Sequence, residues 1–146
     1  MTAWRKICCA IDFSDASRAA LEQAAELSSH FRAELLLVHV VIPDGAGVIF
    51  APPEPQRPPE PQRGQQLQAW TRDAQERAHG LATSVELGGD PATEIARFAA
   101  EFGCDVIVMG SHGRAGIRHA MLGSVAEGVL RLARCPVLVL HRPYEG

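Results

Sequence analysis

Residues 106–124 read VIVMGSHGRAGIRHAMLGS, an apolar run that passes through glycines into the start of a helical pattern. The run VIVM is apolar throughout and mostly β-branched, which is typical of a strand covered on both faces of a parallel sheet. The glycines after it indicate backbone turns, or close approaches that a side chain would block. The stretch therefore predicts a strand, a loop and a helix of an α/β protein.

The same alternation extends over the rest of the chain. Strands are predicted at 7–11, 35–42, 84–87, 106–109 and 136–140, and apolar residues recur at helical spacing between them. Ser14 and the pair Asp90-Pro91 are typical helix starts, and Gly103 is a typical helix stop. A further helix is predicted at 124–133. This order predicts an α/β fold, a five-stranded parallel sheet with helices on both faces, in one domain over 1–146.

Composition narrows the function classes. The chain has 146 residues, 47% of them hydrophobic, and a net charge of −3, which argues against general nucleic-acid binding. No apolar run is long enough to span a bilayer, and the first residues lack a signal-peptide layout, so we expect a cytoplasmic protein. The four cysteines form no CxxC pairs of the kind that bind zinc, and small buried thiols are the favoured interpretation.

Residues 43–64 differ in character from the rest. Seven of the ten prolines lie between Pro43 and Pro61. Because proline lacks a backbone donor and restricts the residue before it, this segment is predicted to be an extended, partly mobile loop. A polyproline ligand for a partner protein is an alternative to a plain solvated loop.

Ligands of parallel α/β sheets bind beyond the carboxyl ends of strands, where the strand order reverses. Asp12, the end of the second strand and the segment from Gly110 onward all qualify. Gly110 and Gly113 would let backbone N–H groups face an anion, and Gly123-Ser124 begins a helix whose dipole favours negative charge. The sequence contains neither GxxxxGK[ST] nor GxSxG, and the loop does not fit GxGxxG. Glycines that only shape a loop remain an alternative.

The spacing Gly110-x2-Gly113-x9-Gly123-Ser124, with AIDFS at 10–14 and PVLVL at 136–140, resembles the universal stress protein family, in its ATP-binding branch. The resemblance covers nearly the whole chain except the proline-rich stretch. It implies a Rossmann-like fold of the adenine nucleotide alpha hydrolase type, a bound adenine nucleotide, and often a homodimer formed partly through the last strand.

Carried over by position, the resemblance implies a set of nucleotide-binding residues. Gly110, Gly113, Gly123 and Ser124 would hold the phosphates and ribose of ATP, with or without Mg²⁺. Met109 and Val125 would border the same pocket. Asp12 would contact the adenosine part, and Val40 would meet the adenine through its main chain.

Several residues keep two interpretations. Asp12 is either a ligand of the nucleotide or a cap for the helix that starts near Ser14. Arg114 either neutralises phosphate or is an ordinary surface arginine. His112 is more readily a positioning or exposed residue than a general base, because no acid in sequence orients it. His39 is predicted to be a packed histidine of the second strand.

Three functions fit these residues. The first is a module that binds ATP and uses occupancy to alter a dimer or partner surface in a stress response. The second is an enzyme, a slow ATPase or an autophosphorylating protein, although no carboxylate pair for a metal is evident. The third is a scaffold with an empty pocket.

Overall fold

The computed structural model describes residues 3–43, 60–112 and 122–141, and for Glu60 and Pro61 only the backbone. The elements of these residues are β1 (Lys6–Ala10), α1 (Asp15–Phe31), β2 (Glu34–Val41), α2 (Glu60–Arg77), β3 (Ala82–Gly88), α3 (Pro91–Glu101), β4 (Val106–Gly110), α4 (Ser124–Leu132) and β5 (Val137–Leu140). All neighbouring strands are parallel, in the order β3-β2-β1-β4-β5. The predicted fold class is confirmed, and both ends of each predicted strand fall within two residues of the ends of an observed strand.

The sheet has a buried layer on each face. Consecutive residues of a strand point to opposite faces, so Ile7 and Cys9 of β1 pack with α1 and α2, whereas Cys8 and Ala10 pack with α3 and α4. Cys8 and Cys9 are both fully buried, as predicted. Because both faces of β1 and β4 are covered, these strands show apolar runs rather than alternation.

Side chains cap two of the helices where the sequence predicted helix starts. The Ser14 hydroxyl accepts a hydrogen bond from the Ser17 N–H (3.2 Å), and the Asp90 carboxylate accepts one from the Thr93 N–H (3.1 Å). The hydrogen bonds from the side chain and backbone of Thr93 lower the pKa of Asp90. Both caps satisfy donors that a helix leaves unpaired in its first turn.

The prediction of a loop over 43–64 is wrong for its last residues, because α2 begins at Glu60. Pro61 is therefore in the first turn of a helix, where its missing N–H costs no hydrogen bond and its fixed φ suits the helix. Farther along α2, Leu67, Trp70 and Ala74 pack on the α1 side of the core. Residues 44–59, which hold most of the proline-rich stretch, lie outside the described residues.

Gly128 of α4 allows α4 to pack closely against α3. A Cβ added at Gly128 would lie 2.6 Å from the Cβ of Ala92, which no rotamer change can move. Overpacking costs about 1–3 kcal/mol, whereas replacing a helical glycine with alanine gains about 1 kcal/mol. Gly128→Ala is therefore expected to lower the free energy of unfolding by up to about 2 kcal/mol in urea titrations. Adding Ala92→Gly should relieve the clash, and a double-mutant cycle with no coupling would contradict this contact.

The order of the strands fixes where a ligand edge lies. The chain leaves β1 towards β2 and β3 on one side and continues in β4 and β5 on the other, so the strand order reverses between β1 and β4. The carboxyl ends of these two strands are therefore the expected ligand edge. No helix within the described parts of the chain has the length and apolar character needed to cross a membrane.

Candidate functional site

The beginning of α1 packs directly against the end of β4. A Cβ added at Gly110 would lie 2.7 Å from the Cβ of Ala16, 2.8 Å from its carbonyl carbon and 3.0 Å from the nitrogen of Ser17. Gly110 does not have a positive φ, so close approach rather than turn geometry explains this glycine. The fold therefore requires a glycine here independently of any ligand.

Ser111 joins three elements at this edge. Its N–H donates to the carbonyl of Leu140 at the end of β5 (2.8 Å), and its own carbonyl accepts from the N–H of Gly123 (2.7 Å), the residue before α4. The residue is fully buried, and its hydroxyl lies 3.0 Å from Nδ1 of His112. These bonds hold the beginning of α4 at the end of β4, so the two ends of the glycine-rich stretch lie close together.

α4 begins at a glycine. Gly123 is the N-cap residue, with φ −67° and ψ 161°, and it has no side chain that could accept a hydrogen bond from the first turn. This differs from α1 and α3, which Ser14 and Asp90 cap. The first-turn N–H groups of a helix carry partial positive charge and attract anions. The nine-residue helix α4 thus begins at the switch point of the sheet, and its N-cap residue provides no side-chain cap.

Asp12 belongs to a hydrogen-bond network at the beginning of α1. Its Oδ1 accepts from the backbone N–H of Ser14 (3.0 Å) and from the Ser14 hydroxyl, which in turn caps α1. The N–H of Asp12 donates to the Ser17 hydroxyl at 3.3 Å. Within the described residues, Oδ2 of Asp12 makes no hydrogen bond. One carboxylate therefore supports the helix cap with one oxygen and leaves the other available.

Phe13 and His39 fix the turn that carries Asp12. Phe13 has a φ of 65°, a conformation that bulky residues rarely adopt, and its ring packs on His39 and on Trp70 at centroid distances of 4.7 and 5.2 Å. Nδ1 of His39 lies 3.0 Å from the carbonyl of Ile11, so this nitrogen carries the proton. His39 is 7% exposed, which confirms the predicted packed histidine.

Val40 presents main-chain groups beyond the end of β1. In a parallel sheet, alternate residues point their N–H and C=O groups to the same neighbouring strand. The Ile11 N–H donates to the Val38 carbonyl (2.9 Å), so Val38 and Val40 face β1, whereas Val41 bonds to Gly89 on the β3 side. Among the described residues, no backbone group of β1 or of the turn after it makes a hydrogen bond with the backbone of Val40. The backbone of Val40 is therefore available at the edge that also carries Asp12.

The other residues of the predicted site have different positions. Met109 is 4% exposed and its side chain packs in the α3 and α4 layer. Ser124 is exposed and Val125 half-buried in the first turn of α4. Gly113 and Arg114 lie outside the described residues.

Sequence reasoning did not single out Ser111 or the strained Phe13. The position of Ser111 directly after a buried strand is the signal that could have found it, whereas nothing in sequence marks the backbone of Phe13. No group of three or more His, Cys, Asp or Glu residues that could hold a metal ion is found in the described ranges.

The sequence profile of the universal stress protein family matches residues 3–141. The chain belongs to this family. A universal stress protein of Methanocaldococcus jannaschii is 35% identical over 145 residues, covering 96% of this chain and 84% of the relative. One from Bacillus subtilis is 32% identical over 147 residues, covering 94% of this chain and 99% of the relative.

Solved structures of universal stress proteins share the fold. The protein from Lactobacillus plantarum superimposes with a TM-score of 0.79 at 20% identity, covering 96% of this chain and 99% of that one. A universal stress protein solved in complex with cAMP gives 0.68 at 23% identity, covering 97% and 99% of the two chains. One from Archaeoglobus fulgidus in complex with dAMP gives 0.69 at 22% identity, covering 95% and 99%.

Proposed function

We propose that this universal stress protein is a cytoplasmic, ATP-binding regulatory module of the stress response. The observation that carries the proposal is the N-terminus of α4, whose N-cap Gly123 has no capping side chain and which the bond from the Gly123 N–H to the Ser111 carbonyl holds at the end of β4. The fold already provides side-chain caps for α1 and α3. An anion at the beginning of α4 would supply what a cap supplies elsewhere.

The phosphate side of the nucleotide would lie on Gly113, Gly123 and Ser124, with Arg114 neutralising charge. Gly123 has a backbone conformation that any residue adopts, so a requirement for close approach is the better explanation of a glycine there. Gly110 would contribute its backbone, and Val125 and Met109 the border of the pocket. The Met109 side chain is in the core, which leaves its main chain for this contact.

The adenosine side would lie on Asp12 and Val40. Oδ2 of Asp12 is an acceptor suited to a ribose hydroxyl, and the backbone N–H and C=O of Val40 suit the edge of an adenine ring. The cAMP and dAMP complexes of two similarly folded proteins support adenine as the base. When bound, ATP would supply the negative charge that the first turn of α4 attracts, with or without Mg²⁺.

A homodimer through β5 is part of the proposal. Among the five strands that the structure describes, β5 pairs with β4 alone and forms one edge of the sheet. Leu138 of β5 is 36% exposed, and Leu130 and Leu132 of α4 are 46% and 48% exposed. An apolar edge of this kind is stabilised by pairing with a second copy. The cytoplasmic assignment is supported by the free thiols of all four cysteines, which suit a reducing compartment.

Nucleotide release and thermal melts test the binding function. Freshly purified protein, denatured and analysed by mass spectrometry, is expected to release ATP. Added ATP at about a hundred times its Kd should stabilise the fold by about 2.7 kcal/mol, raising Tm by roughly 5–10 °C for a domain of this size. ADP and AMP should raise Tm less, and GTP is the control for the base.

Two variants, the comparison of AMP with ATP, and sedimentation distinguish the possible outcomes. Gly113→Val should lose the ATP-dependent shift in Tm, because a side chain would fill the space of a phosphate. Gly64→Ala, at an exposed position of α2, should keep this shift. A larger shift with AMP than with ATP would overturn ATP in favour of another adenine nucleotide. No release and no shift would overturn the site. Sedimentation of the same samples reports the dimer.

A further inference from the structure

Three cysteines lie near one another towards the amino-terminal ends of the strands, opposite to the proposed nucleotide site. Cys8 lies in β1, Cys104 two residues before β4 and Cys135 two residues before β5. Cys8 is a close neighbour of Cys104, and Cys135 is close enough to Cys104 for the two to interact electrostatically. We call Cys8, Cys104 and Cys135 the thiol cluster.

The pKa values of Cys8 and Cys104 are shifted in opposite directions. The neighbouring thiol of Cys8 lowers the pKa of Cys104, and the nearby Lys6 lowers it further, against burial and the carboxylates of Asp105 and Glu34. The interaction with Cys104, together with burial, raises the pKa of Cys8 well above its ordinary value. A lower pKa raises the share of thiolate, the nucleophile in thiol chemistry, and this favours Cys104 over Cys8.

A cavity gives access to two of the three thiols. It has a volume of about 240 Å³ and is lined by Ala99, Ala100, Gly103, Cys104, Arg134 and Cys135. Cys135 is half-buried, whereas Cys8 has no exposed surface. Arg134 is the cationic side chain of the lining. A small reagent that carries a carboxylate would therefore meet an arginine and two sulfur atoms in the same cavity.

We propose that Cys104 and Cys135 form a reversible oxidation site for small disulfides that carry carboxylates. In the first step, the Cys104 thiolate attacks one sulfur of the reagent. The S–S bond of the reagent breaks, a mixed disulfide forms on Cys104, and the other half leaves as a thiolate. In the second step, Cys135 loses its proton to solvent and attacks the Cys104 sulfur, releasing the second half as a thiolate. Two protein thiols are oxidised, and one disulfide is reduced to two thiols.

The choice of Cys135 as the second nucleophile follows from access. Burial raises the pKa of Cys135 as well, but its sulfur borders the cavity in which the mixed disulfide forms. Cys8 is enclosed in the core layer of α3 and α4, and the interaction with Cys104 and burial raise its pKa, which disfavours the thiolate. Cys9 lies on the opposite face of the sheet, where burial raises its pKa to about 12, so it is the internal control.

The test uses dithiodiglycolate, a small dianionic disulfide, on the folded full-length protein, with peptide mapping by mass spectrometry. The wild type should lose two hydrogens and show a Cys104–Cys135 disulfide. Cys135→Ser should stop at a mixed disulfide on Cys104, Cys104→Ser should lose the adduct, and Cys9→Ala should behave as the wild type. The dication cystamine should react more slowly than dithiodiglycolate, and Arg134→Gln should remove this preference.

Each contrary outcome has a definite meaning. A Cys8–Cys104 disulfide in the wild type would overturn the role of Cys135. An adduct on Cys135 that is undiminished in Cys104→Ser would overturn Cys104 as the first nucleophile. Wild-type protein that stays unmodified when native, but reacts fully when denatured, would overturn the site itself, and this comparison requires no variant.

Discussion

Replacing Gly110 with alanine is expected to lower the free energy of unfolding by about 3 kcal/mol, at the upper end of the usual cost of overpacking. The added Cβ would lie 2.8 Å from the carbonyl carbon and 2.7 Å from the Cβ of Ala16. Neither atom can move by a rotamer change, so α1 would have to shift away from β4. Urea titration of the nucleotide-free protein measures the loss. A fall in Tm of roughly 2–4 °C per kcal/mol should accompany it.

Gly64→Ala is the matched control for this variant. Gly64 lies inside α2, and a Cβ there meets nothing within 4 Å. Because helical glycine is disfavoured relative to alanine, this change should stabilise the protein by about 0.5–1 kcal/mol. A Gly110→Ala protein as stable as the wild type would show that α1 can yield, and the close-packing explanation of this glycine would fail.

The sheet could be predicted from sequence because β1, β2, β4 and β5 are short, largely apolar runs between segments of helical periodicity. Such runs, as at 106–109, follow from burial on both faces, which is a local property of the sequence. The caps Ser14 and Asp90 are local as well. The prolines conceal the beginning of α2, because proline disfavours a helix interior but is tolerated in the first turn, which Pro61 occupies.

The candidate site was predictable only in part, for a physical reason. The position of Asp12 after a strand and of Gly123 before a helix follow from sequence order. The contact between Gly110 and Ala16 does not follow from sequence order, because contact between distant segments depends on how α1 packs on the sheet. The open backbone of Val40 is likewise a product of where β1 ends relative to β2.

Asp12→Asn is expected to weaken ATP binding by roughly 10- to 150-fold, the equivalent of about 1.5–3 kcal/mol for a hydrogen bond to a charged group. The amide keeps an oxygen that accepts from the N–H and hydroxyl of Ser14. It replaces the Oδ2 acceptor with a donor, which cannot accept a proton from a ribose hydroxyl. Isothermal titration calorimetry measures the affinity, and urea titration should show little change in the stability of the nucleotide-free protein.

Ser14→Ala separates the two roles of the same turn. It removes the hydroxyl that caps α1, which should cost about 1 kcal/mol of stability, and it leaves Oδ2 of Asp12 in place. The two variants should therefore show opposite patterns, one losing affinity and the other stability. If Asp12→Asn binds ATP as tightly as the wild type while Ser14→Ala weakens binding, Asp12 serves only the helix cap. The comparison is decisive because Ser14→Ala removes the hydroxyl bond to Oδ1 of Asp12 and leaves Oδ2 unchanged, whereas Asp12→Asn keeps the acceptor at Oδ1 and changes Oδ2 alone.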